Sequence, residues 1–159
     1  MIVYHGSNVI VRQPDTLHSY RPLDFGRGFY VTSNQSQAER WARRKYLIYR
    51  EGNPLVNEYR MDEDFSGLNV KTFGDDPAEW IEFVCSCRDG NDDFALYDII
   101  IGRVADDKVF RVVDKYRSGE WDLERALSEI KVYPDYDQIS FVTQKAIDRV
   151  LTFSGYRRC

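Results

Sequence analysis

Short runs of β-branched and aromatic residues mix with stretches of helical spacing along this chain, without strict strand-helix-strand alternation. That order limits the fold more than any other feature. Strict alternation would mean a parallel sheet wrapped by helices. The irregular order suits a single α+β domain spanning 1–159, with a split, mainly antiparallel sheet and flanking helices. The densest run, YDIIIGRV at 97–104, reads as a central strand in which Gly102 permits a bulge or a close backbone approach.

The other elements follow from local signals. Strands are expected at 2–4, 28–32, 55–61, 68–73, 138–142 and 151–153. Ser36 with Glu39 three residues on fits a capping box for a helix carrying Ala38, Trp41, Ala42, Lys45 and Tyr49 and running to about Arg50. Asp76, Pro77 and Glu79 form the clearest helix start, with a stop near Gly90. Further helices are expected around Val109 to Tyr116, around Leu123 to Ile130 behind a cap at Asp122, and at 144–150. No repeat, low-complexity segment or linker interrupts the 159 residues.

Hydrophobic residues make up 43% and aromatics 14%, enough apolar surface to offset chain entropy. A net charge of -4 lacks the global basic footprint of a nucleic-acid binder. Locally, Arg40, Arg43, Arg44, Lys45 and Arg50 share one helix, either as a solvated face or as a surface toward a phosphate or an acidic partner. Three cysteines and two histidines offer no zinc spacing, and the odd thiol count agrees with a reducing, cytoplasmic setting. No apolar run approaches the length of a membrane span, so no membrane partner is expected.

Two segments carry chemistry. In YHGS, at 4–7, a histidine at a strand end precedes a glycine whose bare backbone lets a ligand come close. Such a site can grip a carboxamide through main-chain bonds and a ribose through the imidazole. In FGRGFY, at 25–30, two glycines flank a turn that delivers an aromatic ring where a flat heterocycle can stack. A structural histidine and core-packed aromatics are the plainer alternatives. A phosphate-binding G-x-x-x-x-G-K-[ST] loop is absent, and Gly26 and Gly28 precede a strand rather than a helix, unlike the Rossmann fingerprint.

Taken together, HGS and GRGFYVTSNQSQAERWA resemble the ADP-ribosyltransferase superfamily, in its poly(ADP-ribose)-polymerase-like and diphtheria-toxin-like branch. The resemblance implies that His5 binds ribose, the Gly6 backbone holds the nicotinamide amide and Tyr30 stacks on the ring. It also implies a late-strand acidic residue, whose place in YDQISFVT is taken by Gln138, as in His-Tyr-Gln variants of small bacterial toxin-like families. The implied catalytic set is His5, Tyr30 and Gln138. The expected NAD-binding set is His5, Gly6, Ser7, Ser19, Arg21, Gly28 and Tyr30, without metal, with Ser19 and Arg21 taken from their place in the polar loop, toward the adenine ribose and the pyrophosphate, rather than from the resemblance.

An amide cannot take a proton at neutral pH, so Gln138 can orient a ribose but cannot act as general base. Asp106 and Asp107 are substitute carboxylates or helix caps. Asp137 points to the opposite face from Gln138 in a strand. Arg21 and Arg27 either meet a pyrophosphate or bridge to Asp24, and His18 is read as merely exposed. Trp41, Trp80 and Trp121 are read as packing residues.

The implied activity is mono-ADP-ribosyl transfer from NAD to a macromolecular acceptor, protein or nucleic acid. A bacterial toxin or effector paired with a small antitoxin-like partner would fit. An NAD glycohydrolase, a non-catalytic NAD or ADP-ribose binding module, and an interaction domain indifferent to NAD are the alternatives.

Overall fold

The structure is a computed structural model and describes residues 1–17 and 23–159. These form β1 (Ile2–Ser7), β2 (Phe29–Val31), α1 (Gln35–Tyr49), β3 (Leu55–Met61), β4 (Val70–Thr72) and α2 (Pro77–Arg88). After a 3-10 turn at Asp93–Leu96 come β5 (Ile99–Arg103), α3 (Asp107–Arg117), α4 (Leu123–Ile130), β6 (Asp137–Phe141), α5 (Gln144–Val150) and β7 (Leu151–Arg158). The fold is mixed α and β.

Two sheets share the strands. One has the order β1-β3-β7 and is antiparallel throughout. The other has the order β2-β6-β5-β4, with β4 and β5 parallel and the remaining pairs antiparallel. They meet at one bridge, where Tyr4 and Thr32 exchange backbone bonds of 2.8 and 2.9 Å.

Alternation along the strands sorts the apolar residues into two cores. Val3, Phe29, Val31, Tyr59, Ile99, Ile139 and Phe141 pack with α5 between the sheets. Phe25, Trp80, Ile81, Ile100, Val109, Val113 and Ile130 pack between the second sheet and α2, α3 and α4. β5 is therefore covered on both faces, as its unbroken apolar run predicts. At Gly102 a Cβ would come within 2.8 Å of Phe25 and 3.1 Å of Phe73, the close approach expected there.

Some boundaries differ from expectation. β1 extends through His5, Gly6 and Ser7, because β3 pairs with all six of its residues. α1 is capped by Asn34, whose side chain accepts the Gln37 N–H at 3.0 Å, and Ser36 lies inside the helix. Glu39 accepts from Gln35 instead of closing a capping box. β7 runs five residues beyond Phe153, paired to β3 along a polar edge that carries no apolar rhythm. The caps at Asp76 and Asp122 form as expected. Among the described residues no helix is long and apolar enough to cross a membrane.

Candidate functional site

The join between the sheets creates an unusual backbone position. Tyr4 spends both its backbone groups on Thr32, so they point away from β3. Bonding alternates along an antiparallel strand, so Val3, His5 and Ser7 bond toward β3 while Gly6 turns its N–H and C=O toward the gap beside β2. Gly6 is buried, and among the described residues neither of these groups has a partner. Its α-carbon rests against α1: a Cβ there would lie 2.0 Å from the Ala38 carbonyl oxygen and 2.9 Å from the Trp41 Cβ.

His5 takes up the space where β2 parts from β1. Its Nδ1 lies 2.7 Å from the Tyr30 carbonyl oxygen, and its ring stacks on Phe29 with centroids 4.3 Å apart. A carbonyl only accepts, so Nδ1 carries the hydrogen. Burial first, and the Lys45 charge second, push the imidazole down to about 3 against the opposing effect of the Tyr30 bond. The ring is neutral at physiological pH, and Nε2 presents a lone pair.

Tyr30 and Gln138 lie on one face of the second sheet, whereas Phe29 and the stacked imidazole lie on the other. The Tyr30 hydroxyl donates to the Gly26 carbonyl at 2.6 Å and accepts from the Phe25 N–H at 3.0 Å. Burial and the nearby Asp24 raise its pKa far above the ordinary tyrosine value.

Gln138 is 3% exposed and donates from Nε2 to Asp24 at 3.0 Å and to the Arg103 carbonyl at 3.1 Å. Both of its amide hydrogens are therefore engaged. The turn at Asp24 to Gly26 links phenol and carboxamide. The imidazole reaches Tyr30 only through the main chain.

The remaining expected residues divide clearly. Ser7 is buried and accepts from the Val9 N–H at 3.4 Å. Gly28 sits tightly on β6, where a Cβ would come within 2.4 Å of the Ser140 hydroxyl. His18, Ser19 and Arg21 lie outside the described residues. Asp24 pairs with Arg88 rather than with Arg27. Asp106 caps α3 through Lys108 and Val109, and Asp107 pairs with Arg44. Asp137 accepts bonds from Ser33, 2.6 Å from its hydroxyl, and so ties β6 to the start of α1. Burial pushes the thiols of Cys85 and Cys87 up to about 11 and about 12, which leaves them unsuited to nucleophilic work.

One feature escaped the sequence pattern and another was legible in it. The Asp24–Arg88–Gln138 network joins residues far apart in the chain, and no local pattern announces it. Lys45, by contrast, carries a readable signal, being a lysine on the stripe of Ala38, Trp41 and Ala42 that faces β1. A separate groove of about 600 Å³, lined by Ser33, Asn34, Trp80, Arg103, Tyr136 and Asp137 among others, opens near the start of β6.

The family model described as "Protein of unknown function (DUF3990)" matches residues 1–153. The chain belongs to this family. No curated protein and no solved structure matches it. In this DUF3990 chain the matched span contains both strands at the join, α1 and all of β6.

Proposed function

We propose that the chain is a mono-ADP-ribosyltransferase that takes NAD, releases nicotinamide and moves ADP-ribose to a macromolecular acceptor. The observation that carries this reading is the buried backbone of Gly6, without a partner among the described residues, next to a neutral imidazole. A buried N–H and C=O without partners cost free energy, and they form the complement of a carboxamide, which offers one acceptor and two donors. The Nε2 lone pair of His5 accepts from a ribose hydroxyl. The two sheets joined at one bridge support an ADP-ribosyltransferase-like fold.

In the reaction the bond between the ribose C1′ and the nicotinamide nitrogen breaks, its electron pair leaves with the nicotinamide, and an acceptor lone pair bonds to C1′. Holding the carboxamide and the ribose favours this by positioning. Gln138 supplies no base, so acceptors that need no deprotonation, such as carboxylates or phosphates, suit the site. By the same resemblance the chain serves as a bacterial toxin or effector held in check by a small partner protein.

The commitment of both Gln138 amide hydrogens to Asp24 and Arg103 favours a second reading, a non-catalytic NAD or ADP-ribose binding module. Incubation of the purified chain with NAD, with chromatography for nicotinamide and mass spectrometry of treated lysate, separates the possibilities. Nicotinamide together with an ADP-ribose adduct supports transfer. Nicotinamide with free ADP-ribose alone means glycohydrolysis. A thermal shift with NAD and no nicotinamide means a binding module, and no effect of NAD refutes both readings. For transfer, His5→Ala lowers turnover at least about tenfold.

A further inference from the structure

Along α1 the basic side chains separate into two kinds. Arg43 and Arg44 are 60% and 52% exposed and pair with Glu39 and Asp107. Lys45 is half-buried and lies on the stripe that packs against β1, one turn beyond Trp41. No carboxylate among the described residues lies within ion-pair reach of it. Burial lowers its pKa, and its charge is felt at the imidazole of His5. A partly desolvated cation without a counter-charge among the described residues is costly, and α1 carries it one turn beyond Trp41, whose Cβ is the side-chain atom nearest to where a Cβ on Gly6 would stand.

We propose that the Lys45 ammonium anchors a phosphate of the ligand that enters the gap at Gly6, and so selects nucleotides over uncharged nicotinamide compounds. This rests on the NAD reading and deepens it. In a nucleotide the ribose stands between the base on C1′ and the phosphate on C5′. With the carboxamide on Gly6 and the ribose hydroxyl on His5 Nε2, the phosphate lies on the far side of the sugar, where Lys45 donates to it. An ammonium on a flexible stem suits this role, because it meets a phosphate as a point charge with three donors. Lys45 is thus a binding residue, and it takes no part in bond breaking.

Calorimetric titration of the full chain with NAD, ADP, inorganic pyrophosphate and nicotinamide tests this on wild type, Lys45→Met and Lys45→Arg. Methionine keeps the apolar stem on the stripe, and circular dichroism with a melting curve verifies the fold of each variant.

The expected result is that Lys45→Met weakens NAD and ADP about tenfold, as loss of one charge-assisted contact does, and leaves nicotinamide binding unchanged. Lys45→Arg retains most of the affinity, and pyrophosphate competes with ADP in wild type and Lys45→Arg but not in Lys45→Met. Equal affinity of wild type and Lys45→Met for NAD and ADP overturns the anchor and leaves the NAD reading intact. Lys45-dependent binding of ADP, without binding of nicotinamide or cleavage of NAD, keeps the anchor and defeats the ADP-ribosyl reading. A wild-type chain that binds none of the phosphate compounds overturns both.

Discussion

The neutrality of His5 is set by competition. The bond from Nδ1 to the Tyr30 carbonyl favours the charged ring, and burial outweighs it, with Lys45 adding to the effect. The unfolded chain takes up a proton near pH 6.5 that the folded chain refuses until about 3, so this contribution to stability is complete above 6.5 and is lost as pH falls through that window. In urea unfolding between pH 7 and pH 5, wild type loses about 1 to 2 kcal/mol more than His5→Gln, which has no titrating ring. Equal losses would show that the imidazole is not shielded. At Gly6 the constraint is steric: Gly6→Ala drives a methyl into the Ala38 carbonyl of α1 and costs about 2 to 4 kcal/mol in denaturant unfolding. Its special place was legible only as a glycine beside a histidine. The direction of its backbone groups came from pairing across 50 residues to Val56, which no local pattern encodes.

Helix starts were legible where the cap, the first turn and the apolar stripe agreed. Asp76 with Pro77, and Asp122, meet that condition and cap α2 and α4 as expected. At α1 the capping-box pattern at Ser36 and Glu39 competes with Asn34, which stands nearer the end of β2 and reaches the Gln37 N–H first. Thr32 reinforces it by accepting the Asn34 N–H at 3.1 Å. Asn34→Ala should therefore lower stability by about 1 kcal/mol, and Ser36→Ala by less than about 0.5 kcal/mol, in thermal or urea unfolding. The reverse ranking would restore the capping box. Strands were harder to bound, because their ends are set by partners. β1 and β7 both run on past their apolar stretches, as far as β3 offers backbone groups to bond with.

Across the whole molecule, Asp24 ties the glycine turn to α2, to the segment before α3 and to β6. Its carboxylate, 6% exposed, accepts from Arg88 Nε at 3.0 Å, from the Ala105 N–H at 2.9 Å and from Gln138 at 3.0 Å. Arg88 in turn lies over the Phe110 ring at 4.1 Å. Removing one member of such a buried pair strands the other, so Asp24→Leu should cost about 3 to 5 kcal/mol. Asp24→Leu combined with Arg88→Met should recover part of that loss in denaturant unfolding, and purely additive losses would show that the two do not act as a pair. What the sequence by itself determined is the set of elements and their apolar faces, because periodicity, caps and turn residues act over a few neighbouring positions. The tertiary structure alone decided which groups among the described residues remain unpaired at the join, that Gln138 is tied to Asp24 and that Lys45 has no counter-charge among those residues. Each of these depends on which distant strand or helix arrives beside a given residue, and that is settled only when the two sheets meet.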